Sequence, residues 1–457
     1  MRDLFFLALL PLMLYVMVQR PFIAVGMSAW TAMFFPNAWL WGIASTLRYN
    51  LLFMGAAVIG YVALSNKPRV QFGTLGTLVL LFFAWTTLST SMTSGLPELS
   101  WEIWSRFAKV ILLFVFVVLV LDKQLHIDFF LWCIVLSIGF YGALEALKFL
   151  VTGGGHMISG LPGHVLGDRN ELSLAFVMTL PVCAYLLGQY GPRSPLVHYG
   201  LLGLIGLLVA AVIGTQSRGG FVALTGLAAY FFFKSERKLL LLMLALGLAA
   251  LLAGVVPESW SARMHTLNQA NADPSFLGRL VAWKLSFMLA MQHPWFGGGF
   301  KALEYFPVWE SLSQDFAMYP MFYTGEAVPD DKVAHAAHSI YFQVLGEHGV
   351  VGLLLYLAIL VRSFLGARRV AKRVTGEKAA AWIAPLATML QLAIFAFCLG
   401  GAALNFAYFE LLFAMCAMVI VLETRIVKAA LPGAAAPLAV PLNAARSQTA
   451  DSSRNLA

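Results

Sequence analysis

The chain has 457 residues, of which 60% are hydrophobic and only 11% charged, with a formal net charge of +8 and a mean hydropathy of +0.80. A soluble domain carries about 25% charged residues, so this composition excludes an ordinary soluble enzyme, a disordered chain and a collagen-like one. It leaves an all-α polytopic membrane protein, in contact with membrane lipids, whose 35 Phe, 12 Trp and 14 Tyr suit a bilayer and its interfaces.

Apolar runs follow one another at roughly 4–18, 22–41, 51–65, 72–88, 106–121, 128–150, 170–188, 198–214, 219–233, 239–255, 347–362, 380–400 and 403–424. They predict about 12 or 13 crossings, some of them tilted because they fall short of the ~20 residues a span needs. The first run ends at Gln19-Arg20-Pro21 without a small-residue cleavage site, so it reads as a retained segment and not a signal. Cys133, Cys183, Cys398 and Cys416 each lie inside an apolar run, and no CxxC occurs, so they read as small buried hydrophobes.

Cations sort the loops. Lys234, Arg237 and Lys238 crowd one loop; Arg362, Arg368, Arg369, Lys372, Arg373 and Lys378 crowd another; Arg425 and Lys428 follow the last run. The positive-inside rule puts all three in the cytoplasm, and this accounts for the net charge without nucleic acid as a partner. The segment 256–346 then lies outside the cytoplasm, with the loops near 89–105, 151–169 and 215–218. Four parts are expected: N-terminal transmembrane helices over 1–255, a periplasmic loop domain over 256–346, C-terminal helices over 347–430, and a disordered cytoplasmic tail over 431–457. The N-terminus lies outside if 13 runs cross and inside if 12 do.

Within the long segment, Asp273-Pro274 reads as an N-cap with proline at the first helical position. The helix from Phe276 to Gln292 is stopped by His293-Pro294 and Gly297-Gly298-Gly299. A second helix is predicted from near Ala334, carrying His338, Tyr341 and Phe342, with Gly349 breaking or bending it before the next span. The stretch from Trp295 to Tyr323 is rich in aromatic residues and fits an interface.

Ionisable groups near membrane depth are costly, and are functional candidates for that reason. Arg218, in Thr215-Gln216-Ser217-Arg218-Gly219-Gly220, offers a bidentate fork to a phosphate; alternatively it snorkels from a tight turn. Arg279 and Trp283 share a helix face and suit a sugar phosphate, while the same pattern fits a helix lying on lipid with Arg279 and Lys284 at headgroups. A neutral His338 can take a proton from a hydroxyl; His335 reads better as a surface side chain. His335 and His338, three residues apart with Asp330 and Asp331 nearby, would be the pair for a metal, but HExxH is absent and no third ligand has convincing spacing, so none is expected.

Asp168, in Gly167-Asp168-Arg169-Asn170-Glu171, reads as a helix cap, with Arg169 a lesser phosphate contact. Arg106 and Lys109 are further candidates for phosphate, and Arg48 a weaker one. No serine-nucleophile motif, P-loop, GxGxxG in a strand context or DxD occurs, which argues against a nucleotide-driven cytoplasmic enzyme.

In order, Ser217-Arg218-Gly219-Gly220, Arg279 with Trp283, His293-Pro294-Trp295-Phe296-Gly297-Gly298-Gly299, His338-Ser339 and Gly346-Glu347-His348-Gly349-Val350-Val351-Gly352 resemble the Wzy/O-antigen ligase superfamily. The likeness covers residues 165–425, and the N-terminal spans resemble it more loosely. It implies a GT-C-like glycosyltransferase of about 12 spans in the bacterial inner membrane, with a periplasmic loop of short helices and an active site facing the periplasm. The implied donor is an undecaprenyl-diphosphate-linked glycan and the acceptor a hydroxyl of lipid A–core, in lipopolysaccharide biosynthesis, with no nucleotide sugar or other cofactor. On this pattern Arg218 and Arg279 neutralise the diphosphate, His338 is the general base, and displacement inverts the anomeric carbon. Trp283 and Tyr341 contact sugars, and Arg169, Arg106 and Lys109 are subsidiary binding residues.

Sister branches polymerise O-antigen units or glycosylate protein hydroxyls. Where ligases often have His-Asn this chain has His338-Ser339, which leaves no amide at that position. Arg20-Pro21 with Pro36-Asn37-Ala38-Trp39 resembles ligases associated with exosortase systems, so these acceptors stay open. A flippase or exporter of lipid-linked glycans would share the spans and basic sites, yet needs no base on an external loop.

Overall fold

The computed structural model describes residues 2–68, 70–234, 274–319, 333–376 and 381–431, with isolated positions between 238 and 247. Nearly all regular structure is helical, and no strand occurs among the described residues. Among the described residues, seven helices are long and apolar enough to cross a membrane. They are α4 (Gly73–Ser91), α5 (Pro97–Val120), α6 (Gln124–Val151), α7 (Arg169–Tyr190), α8 (Pro195–Gly214), α12 (Ile340–Arg373) and α13 (Ile383–Gly401). Shorter apolar helices are α1 (Arg2–Gln19), α2 (Pro21–Phe34), α3 (Tyr49–Ala63) and α9 (Arg218–Lys234). Two further helices, α10 (Pro274–Gln292) and α11 (Phe306–Gln314), fall in the 256–346 segment, and α14 (Glu410–Val421) closes the bundle. The run at 239–255 lies almost wholly outside the described residues, as do Asp273, Asp330, Asp331 and the tail from 432.

Several expected boundaries move, for local reasons. The run at 22–41 is helical only to Phe34, because Phe35 turns into the left-handed region ahead of Pro36, whose ring disfavours helix at the residue before it. The run at 106–121 starts earlier, at Pro97. Proline at the first position and Glu98 in the first turn favour a helix start there, so Arg106 and Lys109 lie in the helix interior. The run at 403–424 is interrupted as well. Residues 402–409 form an irregular segment, and α14 begins only at Glu410.

Two helices are buried nearly all round. Residues 172–183 of α7 and 411–421 of α14 are buried at every position, as expected for central helices of a bundle. Around α7 pack α8, α9 and α13; α12 packs on α13, α4 and α10, and α14 on α5. The helix α12 is two helices joined at Gly349, which has φ 69° and ψ −170°. Beyond that bend, Arg362 grips Glu423 through both guanidinium nitrogens, at 3.1 and 2.8 Å, and ties the far end of α12 to the turn after α14.

Candidate functional site

The two glycine-rich motifs interlock, and the tip of α4 is the bolt. Gly298 N–H donates to the Gly346 carbonyl and Gly299 N–H to the Glu347 carbonyl, both at 2.8 Å, while Val350 N–H reaches the Pro294 carbonyl at 2.9 Å. Ser89 of α4 bridges the same strands of chain: its hydroxyl lies 2.6 Å from the Phe296 carbonyl, 2.8 Å from the Glu347 carbonyl and 2.9 Å from His348 Nδ1. Thr93 and Ser100 add bonds to the Gly298 and Phe300 carbonyls, each at 2.9 Å. Gly349 has to be glycine here. A Cβ on it would lie 2.5 Å from the Trp295 carbonyl oxygen, and its φ and ψ fall where residues with side chains are strained. The expected bend at Gly349 is thus present, and this junction causes it.

Against the junction packs α10. Trp283 lies flat on Phe342, with ring centroids 5.2 Å apart and planes 8° apart, and its buried Nε1 has no partner among the described residues. Lys284 does not point to headgroups: it is 1% exposed, with its ammonium 3.8 Å from the Phe316 ring centroid. Arg279, one turn before Trp283, is half-buried.

The second helix of the segment starts later than the sequence suggests. It begins at Ile340, and residues 333–338 are irregular, with His338 in the left-handed region at φ 47°. Alanine-rich sequence favours helix, but Ala337 is instead buried against the core beneath α10, and tertiary packing outweighs the local propensity. His335 and His338 therefore do not share a helix face. His338 stands exposed. Crowding by the surrounding protein, and then the positive charge of Arg279, hold its pKa below the ordinary histidine value, while Asp168 and Glu304 pull it the other way. Arg279, Asp168 and Glu304 are thus all within electrostatic reach of His338.

Arg218 reaches the same end of the bundle by another route. It opens α9 two residues after Gln216, itself left-handed at φ 54°, and Ser217 Oγ accepts the Gly220 N–H at 3.2 Å as a helix cap. A Cβ on Gly220 would sit 1.9 Å from Ser173 Oγ of α7, so the missing side chain lets α9 start hard against α7. Neighbouring Gly219 faces the Gly400 carbonyl, and Ile340 covers Gly401. The starts of α9 and of α12 thus meet on the last turn of α13, with the Tyr341 hydroxyl donating to the Cys398 carbonyl at 2.9 Å.

Of the other candidates, Asp168 caps α7, accepting the Asn170 N–H at 2.7 Å, and Arg169 Nη1 lies 3.3 Å from Met157 Sδ. Arg106 pairs with Glu102 at 2.6 Å with its side chain 66% exposed, and Lys109 is exposed one turn on; Ser100 of the same helix is the residue that faces the junction.

The sequence did not single out a set of polar residues beside His338. Glu347, 5% exposed, accepts the Lys301 N–H at 3.0 Å on one oxygen and the Tyr408 hydroxyl on the other. A narrow cleft lies over this carboxylate, walled by Lys301, Glu304, Gln343, Asn405 and the chain at Ala336-Ala337, immediately before His338. A charge inside an apolar run was the available signal for Glu347. Asn405 and Tyr408 gave none, since they read as part of a continuous span.

Residues 202–357, which include Arg218, Arg279 and His338, match the family model described as O-antigen ligase. That stretch is thus similar to O-antigen ligases. The O-antigen ligase of Pseudomonas aeruginosa is 27% identical over 350 residues, covering 73% of this chain and 76% of that protein. Residues 1–190 match a second family model, described as a family of unknown function. The apolar helices, together with this likeness, mark a multi-pass membrane protein.

Proposed function

We propose that this protein is an O-antigen ligase, which moves a glycan en bloc from undecaprenyl diphosphate to a hydroxyl of lipid A–core at the periplasmic face of the inner membrane. The observation that carries this reading is the pairing of His338 with Arg279, a proton acceptor and a fixed cation within electrostatic reach, inside the stretch that matches the O-antigen ligase family. His338 takes the proton of the acceptor hydroxyl. The acceptor oxygen attacks the anomeric carbon, the bond from that carbon to the diphosphate oxygen breaks, and undecaprenyl diphosphate leaves with the electron pair. Arg218 and Arg279 stabilise the negative charge that grows on it, an effect strengthened where water is partly excluded. Direct displacement inverts the anomeric centre. The division into N-terminal spans, periplasmic loop, C-terminal spans and tail, with about 12 crossings, belongs to the same proposal.

Reconstituted transfer tests it. Purified protein, undecaprenyl-diphosphate glycan and lipid A–core are combined with EDTA and without nucleotide. The expected product is glycosylated lipid A–core, with His338→Ala slower by about 10²–10⁴-fold, the range for loss of a general base. Transfer undiminished in His338→Ala would remove the base assignment. Wild-type movement of the lipid-linked glycan across vesicles without any transfer would favour an exporter instead.

A further inference from the structure

The cleft beside His338 has a composition unlike that of the diphosphate side. Its walls carry two carboxylates, Glu304 and Glu347, two amides, Gln343 and Asn405, and one ammonium, Lys301, which is 2.8 Å from Glu304 Oε2 and so already balanced. The Gln343 carbonyl oxygen accepts the Ala407 N–H at 3.1 Å, and Glu347 is held by Lys301 N–H and Tyr408. Asn405 Oδ1 is different: it is buried, and among the described residues nothing donates to it. A buried acceptor without a donor is costly, so an oxygen of this kind on a cleft wall marks a place for a ligand hydroxyl or amide. Lys301 is itself held left-handed, at φ 57°, where its N–H meets Glu347.

We propose that this cleft binds the acceptor's terminal sugar, and that it selects a neutral one. Each hydroxyl of a sugar both donates and accepts, and here carboxylate and amide oxygens stand ready to accept while the Gln343, Asn405 and Lys301 nitrogens stand ready to donate. Among the described residues of its walls, an anionic sugar would meet two carboxylates and one ammonium, already paired. The cleft is too narrow to enclose a chain, so it grips the hydroxyl edge of one ring. Ala336 and Ala337 form one wall, His338 follows them in the chain, and Glu304 of the lining is within electrostatic reach of it, so the proposed base stands near the mouth of the cleft. The site is thereby divided: the arginine side takes the diphosphate, and the carboxylate and amide side takes the nucleophile.

This inference rests on the ligase reading, and two measurements separate them. In the full-length reconstituted protein, Asn405→Ala and Glu304→Gln should each raise the acceptor KM by about tenfold, as for one lost substrate hydrogen bond, with the donor KM unchanged. Saturation-transfer NMR on the same proteins, with methyl glycosides and their 6-phosphates, should show contact with a neutral glycoside, weaker contact with its phosphate, and loss of contact in Asn405→Ala. Transfer with an unchanged acceptor KM in both variants would overturn the cleft while leaving the ligase standing. Glycoside contact that depends on Asn405 in a protein that transfers nothing would do the reverse. An unaltered donor KM guards against misfolding as the cause.

Discussion

At His338, the direction of the pKa shift makes a kinetic prediction. A base must be neutral to act. Because surrounding protein and Arg279 lower its pKa, the neutral form persists to pH values below the ordinary histidine range of about 6.5, and the acid limb of kcat/KM should fall there. Arg279→Gln removes one of the two main lowering influences, so in that variant the limb should move to higher pH as well as the rate falling. A limb that stays in place would mean that Arg279 and His338 do not communicate. Arg218→Ala should cost about 10²–10³-fold in kcat, as for loss of one transition-state contact.

At the scale of elements, the junction locks α4, the segment 293–300 and the bent start of α12 together. Ser89 makes three contacts there and exposes none of its surface. Ser89→Ala should destabilise the detergent-solubilised protein by about 1–3 kcal/mol, because it leaves buried acceptors unpaired. Gly349→Ala should cost at least as much, since it adds a clash with the Trp295 carbonyl to an unfavourable backbone region that itself costs about 1–3 kcal/mol. Thermal unfolding of both variants, with exposed Val350→Ala as the reference, checks the order. Equal melting temperatures for all three would show that the junction contributes little.

At the scale of the molecule, orientation follows from charge. Basic residues cluster in the last turns of α12, and the candidate site lies at the other end of that helix, separated by its full length. Single-cysteine labelling distinguishes the two ends, since three of the four native cysteines are buried and the fourth half-buried. Trp295, 66% exposed, replaced by cysteine should react with a membrane-impermeant reagent from the periplasm. Arg369, whose side chain is 60% exposed, replaced by cysteine should react only after the inner membrane is opened. The reverse pattern would turn the whole assignment inside out.

The sequence by itself determined the class of this protein, because class follows from composition and from apolar runs that bear no relation to partners distant in the chain. It also determined the helix from Pro274 to Gln292, the bend at Gly349 and the identity of the motifs, since caps, breakers and glycines act locally. Only the tertiary structure decided what surrounds His338. The late start of α12 depends on burying Ala337 beneath α10. The cleft depends on residues 402–409 leaving the helix so that Tyr408 reaches Glu347. The approach of α9 to α7 depends on Gly220 lying against Ser173. Each is a contact between segments far apart along the chain, where packing and buried hydrogen bonds outweigh the propensity of either segment alone.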